Sequence, residues 1–359
     1  MKIVIATGGT GGHLFPAFKV ADVLKDQGQE VILIGSFRGL ALDKVQKSGL
    51  YFKNLNVQGL GFSNLRNSFS AIFLMIKAIG VSRMYLQKIK PNIVLGFGGY
   101  GAFPTVISAF FLKIPTLIHE QNVVPGRANA ILARFVKRVA ISFEQSRKFF
   151  NPQKTVLTGC PCNISREQLD RSRIFQEFQF KENLFTILVV GGSQGSHRIN
   201  QEFIQTIRNL EIRNQIQVIH VAGKNDYLEL KKEYLESGIP FALFEFLDKI
   251  EWAYKIADLV IARSGASTVT ELAMCAVPSI LIPYPHAGGH QKENAQVLAE
   301  IHLATVIEEK DLTIQTLAAS IEKIIASPSH RQNFRERLKN ICFPDAARRI
   351  AEEAMGLGK

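Results

Sequence analysis

The sequence predicts an α/β fold made of two doubly wound parallel-sheet domains that face each other across a deep cleft. Two stretches with one shared pattern predict it: an apolar run ends in the glycine-rich segment Gly8–His13, and half a chain later another ends in Gly191–Ser196. A helical pattern follows each segment. Such a turn can hold a diphosphate, because glycines have no obstructing Cβ and a helix N-terminus offers N–H donors. With 359 residues, 47% of them hydrophobic, the chain can bury two cores.

The boundary between the domains is predicted at the Gly- and Pro-containing segment Gly159–Asn163. The N-terminal domain then covers residues 1–160 and the C-terminal domain residues 161–343. A last helical pattern after Phe343-Pro344 is expected to cross back, so that a helix at about 344–359 joins the N-terminal domain.

Apolar runs and helical periodicity place the other elements in order. The first helix is expected from about Pro16 to Gln27, the next at Asn67–Gln87, and one at Gly126–Arg138. The strand at Val139–Ser142 is expected to end the first sheet. Further strands are predicted at 30–35, 91–96, 115–122, 217–223, 258–262 and 279–282.

The second strand, Glu30–Gly35, argues against a dinucleotide cofactor. In a dinucleotide-binding fold an Asp or Glu near the end of this strand holds the ribose, whereas Gly35-Ser36 stand here. The first turn also reads GGTGGH instead of GxGxxG. We therefore expect neither NAD nor FAD.

Positive charge is concentrated in the first domain. Residues 1–154 contain 20 Lys and Arg against 6 acidic residues, a net charge of +14, although the whole chain carries only +12. No carboxylate occurs between Asp43 and Glu120. Such asymmetry indicates an anionic partner, either nucleic acid or lipid headgroups. Aromatic residues suited to base stacking are few, which favours lipid.

The rest of the sequence argues against a metal-binding or disulfide-bonded protein, a secreted protein and a membrane-spanning protein. The four cysteines show no CxxC pair and no metal-ligand spacing, so we expect reduced thiols, as in a cytosolic protein. We also expect no signal peptide. No uninterrupted apolar stretch reaches the roughly 20 residues needed to cross a bilayer.

The helix predicted at Asn67–Gln87 has two interpretations. Its apolar residues, such as Phe69, Ile72 and Phe73, fit a buried helix of an α/β domain. The cations at its borders instead fit an amphipathic helix that lies in a membrane interface. The carboxylate-free surroundings favour the membrane.

The fourth strand of the first domain ends in four consecutive polar residues, His119-Glu120-Gln121-Asn122. Ligands bind at the carboxyl ends of parallel strands, so this position favours a recognition site. A lone histidine or glutamate there would more often be structural.

In the second domain a strand ends in Arg263, and the helix that follows carries Ser267, Thr268 and Glu271 in its first turns. Backbone N–H groups and hydroxyls suit phosphate oxygens, and the carboxylate suits ribose hydroxyls. The alternative is a capping box formed by Thr268 and Glu271, which leaves Arg263 without a role. The Pro- and Gly-rich loop 283–294, with His290 and Gln291 leading into a helix, suits the sugar-facing edge of the same site.

Seven segments together resemble the MurG family of bacterial glycosyltransferases over the whole chain. They are GGTGGH (8–13), FGGYGAFP (97–104), HEQN (119–122), GGSQGS (191–196), EFLD (245–248), RSGASTVTE (263–271) and HQKENA (290–295). The resemblance implies the GT-B fold, with two Rossmann-like domains. It also implies transfer of N-acetylglucosamine from UDP-N-acetylglucosamine to the undecaprenyl-diphosphate-linked muramyl peptide, lipid I, which yields lipid II.

The family's substrate contacts carry over to both domains. Leu247 is expected to meet uracil through its backbone, and Glu271 the ribose. We add Tyr100 and Arg263 as candidate substrate-binding residues. The positions matched to the family are Thr10, Gly11, Gly12, Asn122, Ser193, Leu247, Ala266, Ser267, Thr268, Val269, Thr270, Glu271 and Gln291.

Two departures from the family pattern affect the donor site. Asn163 stands where the family usually has a nucleotide-contacting arginine. After GGSQG the family usually has Ala-Arg, whereas this chain has Ser196-His197 and Arg198 one place later. The candidates to substitute for the missing cation are Arg198 or another basic residue.

The family's reaction inverts the configuration at the sugar, so a base must take the acceptor's proton and the departing diphosphate must be stabilised. His13 is the candidate base, and the alternative is a structural loop histidine. His119 and Glu120 are expected to position the acceptor. No DxD motif occurs among these segments, so we expect no metal and no cofactor.

Two other functions fit parts of the sequence. A UDP-sugar epimerase on a similar scaffold would need neither a lipid acceptor nor a basic, apolar first domain. A non-catalytic protein that binds membrane or nucleic acid would use the +14 domain alone. For the transferase we expect UDP-N-acetylglucosamine, lipid I and an anionic membrane as partners, no nucleic acid, and a peripheral location on the cytoplasmic face of the bacterial inner membrane.

Overall fold

The computed structural model describes residues 1–55, 57, 65–162, 164, 170–192, 195–286, 288–326, 338 and 341–359. The chain forms two compact units. Unit 1 consists of Met1–Cys162 and Phe343–Lys359, and unit 2 of Asn163–Cys342. Each contains one parallel β-sheet covered by helices, which confirms the predicted α/β class. The cleft stays a prediction from the sequence.

The sheet of unit 1 has seven parallel strands in the order β3-β2-β1-β4-β5-β6-β7. Two strands were not predicted, β3 and β7, and β7 rather than β6 ends the sheet. Both missed strands are short and lie at the edges. The strands are β1 (Lys2–Gly8), β2 (Glu30–Ser36), β3 (Tyr51–Asn54), β4 (Ile93–Gly96), β5 (Thr116–Glu120), β6 (Arg138–Ile141) and β7 (Thr155–Leu157).

Helices cover both faces of this sheet because its central strands are apolar on both sides. Ile3 and Ile5 of β1 belong to one core, and the alternate residues Val4 and Ala6 belong to another on the opposite face. The helices are α1 (Gly11–Asp26), α2 (Leu40–Lys47), α3 (Leu65–Ile89), α4 (Phe103–Phe111), α5 (Arg127–Leu132) and, from the C-terminal stretch, α13 (Ala346–Gly358).

Two of these helices differ from the prediction. Helix α1 begins at Gly11, not near Pro16, so the last residues of the glycine segment form its first turn. The first N–H groups of a helix need no partner within it, so glycines and a nearby proline are tolerated there. Helix α5 ends at Leu132, six residues before the predicted end.

The sheet of unit 2 has six parallel strands in the order β10-β9-β8-β11-β12-β13. Its strands are β8 (Phe185–Val190), β9 (Ile216–Val221), β10 (Phe241–Phe244), β11 (Leu259–Ala262), β12 (Ser279–Leu281) and β13 (Ala304–Val306). Its helices are α6 (Arg171–Glu177), α7 (His197–Asn209), α8 (Tyr227–Ser237), α9 (Ile250–Ile256), α10 (Ala266–Cys275), α11 (His290–Ala299) and α12 (Ile314–Ile325).

Both sheets have a topological switch point at an equivalent place. In unit 1 the strand order reverses between β1 and β4, and in unit 2 between β8 and β11. At such a point the two following helices lie on opposite faces, which leaves a crevice at the carboxyl ends of the strands. The glycine-rich turns of the sequence lie at these two crevices.

Candidate active site

The crevice of unit 1 is lined by the turns that follow β1 and β4. The Gly8 N–H donates to the carbonyl of Gly98 over 3.0 Å, which ties the turns together. Gly98 and Gly99 have φ angles of +83° and +74°, a backbone conformation that favours glycine. A Cβ on Gly101 would lie 2.8 Å from the carbonyl oxygen of Thr7. The glycines of FGGYG therefore permit a close approach of two backbones.

The first turn of α1 opens onto this crevice. Thr10 is its N-cap, with extended backbone, and Gly11 and Gly12 are its first two residues. Thr10 and Gly12 are exposed, and a Cβ added to Gly12 would meet nothing within 4 Å. Amide groups at a helix N-terminus carry partial positive charge, so this turn can bind an anion such as a diphosphate.

His13 follows in the same turn and is half-buried. Its Nδ1 lies 3.1 Å from Oε1 of Gln121. The ring packs over the glycine turn: a Cβ on Gly98 would lie 3.1 Å from its Cε1, and one on Gly99 3.2 Å from its Cδ2. The imidazole is thus held between the backbone of one turn and the side chain of another strand end.

His119 and Glu120, at the end of β5, are fully buried. Burial lowers the pKa of His119 to about 4, so this imidazole is neutral at physiological pH. The Glu120 carboxylate accepts N–H groups from Asn122, Gly126 and Asn129 at 2.9 to 3.2 Å. Both side chains therefore act on a substrate only through the groups they hold in place.

Asn122 and Tyr100 are half-buried at the edge of the same crevice. The backbone N–H and the side-chain amide of Asn122 both donate to Glu120, and its carbonyl accepts from Ser146 over 3.0 Å. Tyr100 lies in the glycine turn before α4, packed beside the core. A role for either in acceptor binding stays a prediction.

The crevice of unit 2 is lined by the turns after β8 and β11. Of the predicted contacts there, Ser193 lies outside the described residues. A Cβ on Gly195, whose φ is +78°, would overlap the Ala222 carbonyl, so this turn needs glycine. Helix α7 then begins with Ser196 as its N-cap.

Arg263 joins three parts of this crevice. Its guanidinium donates to Ser196 Oγ over 2.8 Å and to the Ile282 carbonyl over 3.2 Å, and it pairs with Glu309. It also lies over the ring of Tyr284, with its Cζ 5.3 Å from the ring centroid. Arg263 thereby links the N-cap of α7 to the Pro- and Gly-rich loop, which is a role within the protein itself.

Helix α10 begins here, with Gly265 as its N-cap. The capping-box alternative is wrong, because no side chain caps this helix and Glu271 instead accepts a hydrogen bond from the Tyr254 hydroxyl over 3.0 Å. Ser267 Oγ is buried and has no hydrogen-bond partner in the described structure. Such an orphaned hydroxyl at a helix N-terminus suits a ligand with acceptor oxygens.

The other members of this segment differ in accessibility. Val269 and Thr270 are buried, and the Thr270 hydroxyl donates to the Ala266 carbonyl over 2.9 Å. Ser267 and Thr268 are half-buried. A ligand at this helix end therefore meets the first turn, whereas the side chains of Val269 and Thr270 face their own unit.

Leu247 and Gln291 lie on the two sides of the crevice. Leu247 is half-buried in the loop between β10 and α9. Gln291, in the first turn of α11, accepts the Tyr284 N–H at its Oε1 over 2.9 Å, and its carbonyl accepts from Ser264 Oγ over 2.8 Å. The side chain of Gln291 thus fixes the loop that precedes its own helix.

Comparison with known proteins gives a consistent result over the whole chain. Residues 3–141 match the glycosyltransferase family 28 N-terminal domain, and residues 186–350 match the glycosyltransferase family 28 C-terminal domain. A Geobacter metallireducens protein is 36% identical over 359 residues, covering 99% of this chain and 98% of its own. It is named UDP-N-acetylglucosamine–N-acetylmuramyl-(pentapeptide) pyrophosphoryl-undecaprenol N-acetylglucosamine transferase. The crystal structure of Acinetobacter baumannii MurG matches with a TM-score of 0.80 and 28% identity, covering 99% of both chains.

The chain belongs to the MurG family of glycosyltransferases.

Membership confirms the GT-B fold and the enzyme class. A UDP-N-acetylglucosamine 2-epimerase from Neisseria meningitidis has a similar structure, with a TM-score of 0.68, but only 15% identity over 99% of this chain and all of its own. That likeness shows the fold alone. This chain therefore shares its fold with the epimerase, whereas its sequence similarity is to the MurG family.

Of the two departures from the MurG pattern, the structure describes only the one at Arg198. Asn163 lies outside the described residues. The Arg198 guanidinium pairs with Glu202 over 2.9 Å and donates to the Leu312 carbonyl over 2.9 Å. To replace the cation that MurG proteins usually carry, Arg198 would have to give up these contacts.

Two residues that hold candidate site groups, Gln121 and Tyr254, received no role of their own from the sequence. Gln121 contacts both His13 and His119, and Tyr254 contacts Glu271. The signal for Gln121 was available: it lies two residues after His119, and alternate residues of a strand share one face. Nothing in the sequence pairs Tyr254 with Glu271, 17 residues away on another helix.

Proposed function

We propose that this chain transfers N-acetylglucosamine from UDP-N-acetylglucosamine to lipid I, the undecaprenyl-diphosphate-linked muramyl peptide, and so forms lipid II of peptidoglycan synthesis. The observation that carries the proposal is full-length similarity to relatives named for this reaction. The two glycine-lined crevices support it, because both substrates contain a diphosphate that a helix N-terminus can bind.

Unit 2 is assigned the donor. The first turn of α10 offers backbone N–H groups and the orphaned Ser267 hydroxyl to the diphosphate. Glu271, which accepts a hydrogen bond from the Tyr254 hydroxyl, is assigned to the ribose hydroxyls. The backbone of Leu247 is assigned to uracil and Gln291 to the sugar-facing edge. Arg263 and the segment Ala266–Glu271 thus form the donor site, with Arg263 in a positioning role.

Unit 1 is assigned the acceptor, with Thr10, Gly11, Gly12 and Asn122 around its diphosphate and sugar. In the reaction the acceptor hydroxyl attacks the anomeric carbon while the bond to UDP breaks, and the hydroxyl proton passes to a base. His13 is proposed as that base, because an imidazole accepts a proton near neutral pH. Helix N-termini stabilise the charge on the departing diphosphate.

The decisive assay measures transfer of radiolabelled N-acetylglucosamine from its UDP donor into a butanol-extractable lipid, in the presence of lipid I. Incubation with the donor alone separates the epimerase alternative, since an epimerase changes the free nucleotide sugar. Label that remains water-soluble with lipid I present would contradict the transferase. Replacement His13→Ala is expected to lower kcat by about 10²-fold or more, the usual scale of general base catalysis.

A membrane-facing surface on unit 1 is proposed from helix α3. Its exposed face carries Phe73, Ile76 and Met84, which are 68%, 63% and 72% exposed, together with Lys77 and Arg83. Apolar side chains framed by cations fit a bilayer interface with anionic headgroups, because the rings and alkyl groups enter the acyl boundary while the cations meet phosphates. Helix α4, which packs on α3, also ends in two exposed aromatic residues, Phe110 and Phe111.

We therefore propose that the protein works peripherally on the cytoplasmic face of the inner membrane. No helix in the described part of the chain is long and apolar enough to cross a membrane. The test is sedimentation with vesicles of mixed neutral and anionic lipids. Phe73→Asp is expected to weaken binding by roughly 10-fold or more, since burying a phenylalanine is worth about 1.5–3 kcal/mol.

The matched control is Leu228→Asp, because Leu228 is 73% exposed on helix α8 of unit 2. It should leave vesicle binding unchanged. Binding of the parent protein should also weaken as salt rises, because exposed charges are screened. Equal losses for both variants, or binding that is independent of salt, would contradict the membrane assignment.

A further inference from the structure

A chain of hydrogen bonds runs through the interior of unit 1 and ends at His13. The Gly159 carbonyl lies 3.0 Å from Nε2 of His119, and Nδ1 of His119 lies 3.2 Å from Nε2 of Gln121. The same Gln121 nitrogen donates to the Phe97 carbonyl over 3.0 Å, while its Oε1 lies 3.1 Å from Nδ1 of His13. His119 and Gln121 are both buried, so water does not compete for these contacts.

The direction of each hydrogen bond follows from chemistry. A backbone carbonyl can only accept, so the end of the Gln121 amide that faces Phe97 is its NH₂ group. The other end, Oε1, can only accept, and the proton shared with His13 must therefore be on Nδ1 of His13. A neutral imidazole carries one N–H, which leaves the lone pair of His13 on Nε2.

His119 fits the same direction. Its Nδ1 faces the Gln121 NH₂ and accepts, and its Nε2 faces the Gly159 carbonyl and donates. Burial keeps its pKa low, at about 4, so it carries a single proton and can play only this pair of roles. Ser142 Oγ, 3.3 Å from the same Nε2, donates to the Glu120 carbonyl over 2.9 Å and so supports the arrangement.

We propose that Gln121 is a positioning residue that holds His13 in the Nδ1–H tautomer, so that Nε2 is the nitrogen that accepts the proton of the acceptor hydroxyl. The proposal rests on the proposed function of His13 as base. Gln121 supplies the fixed acceptor for Nδ1–H, and His119 in turn keeps the amide from rotating. The glycine turn under the ring sets its plane, as a Cβ on Gly99 would lie 3.5 Å from Nε2.

The tautomer can be observed without any assay of activity. The protein is labelled with ¹⁵N in the rings of its eight histidines, and long-range ¹H–¹⁵N correlation identifies the protonated nitrogen of each. Signals of His13 are assigned by their loss in His13→Asn. We expect Nδ1–H for His13 and Nε2–H for His119 in the parent protein. A protonated Nε2 on neutral His13 would overturn the proposal, whatever the enzyme's activity.

A double-mutant cycle tests the catalytic consequence. Gln121→Met, similar in length but without the amide, is expected to lower kcat by about 10- to 100-fold, within the range of general base catalysis, with KM for UDP-N-acetylglucosamine changed less than about threefold. In a His13→Ala background the same replacement should lower kcat by less than about threefold, because a residue that acts through His13 has nothing left to position. The same loss in both backgrounds would overturn the positioning role.

Two further measurements keep the result interpretable. Gln153→Met, an exposed replacement of the same type in unit 1, should leave kcat unchanged. If His13→Ala alone leaves kcat unchanged, His13 is not the base and the proposed mechanism fails, while the NMR result still decides which tautomer Gln121 imposes.

Discussion

The affinity for the donor should rise with pH because of Glu271. Burial raises the pKa of this carboxyl, the hydrogen bond from Tyr254 lowers it, and the nearby Glu251 raises it slightly, so that the net pKa is about 7. If the ribose hydroxyls donate to the ionised carboxylate, binding first requires loss of its proton. The affinity is then reduced by a factor of 1 + 10^(pKa − pH), about 11 at pH 6 and about 1.1 at pH 8. UDP-N-acetylglucosamine should therefore bind about 10-fold more tightly at pH 8 than at pH 6.

Isothermal titration calorimetry at pH 6, 7 and 8 measures this change. The nucleotide sugar is the right ligand, because its diphosphate does not titrate in this range, whereas the terminal phosphate of UDP does. Two buffers with different heats of ionisation count the protons released, about 0.9 per site at pH 6 and about 0.1 at pH 8. Glu271→Gln stays neutral throughout and should lose the pH dependence. A 10-fold rise retained in Glu271→Gln, or an affinity that falls toward pH 8, would refute the assignment of Glu271 to the ribose.

Two other replacements test contacts of unit 1 by chemical denaturation. Gly159→Ala should lower the free energy of unfolding by more than about 2 kcal/mol, because its φ of +81° disfavours alanine and the new Cβ would overlap Phe343. Its control is Gly28→Ala, where φ is +73° but the space around the new Cβ is open, so that only the cost of the unfavourable backbone conformation should be lost. Glu120→Gln should cost about 1–3 kcal/mol, since its NH₂ group would face an N–H donor, while Glu144→Gln at an exposed ion pair should cost less than about 1 kcal/mol. A control that loses as much as its partner would contradict the corresponding argument.

The central strands could be predicted from sequence because they are buried on both faces. The run Lys2–Gly8 is apolar throughout, and its alternate residues pack into cores on opposite sides. The edge strands β3 and β7 were missed for the opposite reason. They have four and three residues, and β3 is largely exposed, so neither leaves a clear apolar run.

The site was predictable where function depends on backbone shape and not where it depends on long-range pairing. Glycine segments marked both crevices, because only glycine permits the approach seen at Gly101 and Gly195. The contact between His13 and Gln121 joins residues 108 positions apart. It exists because the order of the strands brings the end of β5 near the start of α1, and no local pattern encodes that order. The sequence also offered no partner for Arg263, whose contacts span three loops.

Unit 1 is assembled from two pieces of chain, and this has a consequence for its biosynthesis. Ile350, Ala351 and Ala354 of α13 complete the core against α1. A ribosome that has finished residue 162 must still add the 180 residues of unit 2 before it supplies that helix. At about 5–20 residues per second, this takes roughly 10–35 s. During that time the apolar surface that α13 covers in the finished protein is exposed to solvent. The nascent chain is therefore more prone to aggregate at this stage, when its second unit is still being made, than once α13 has packed.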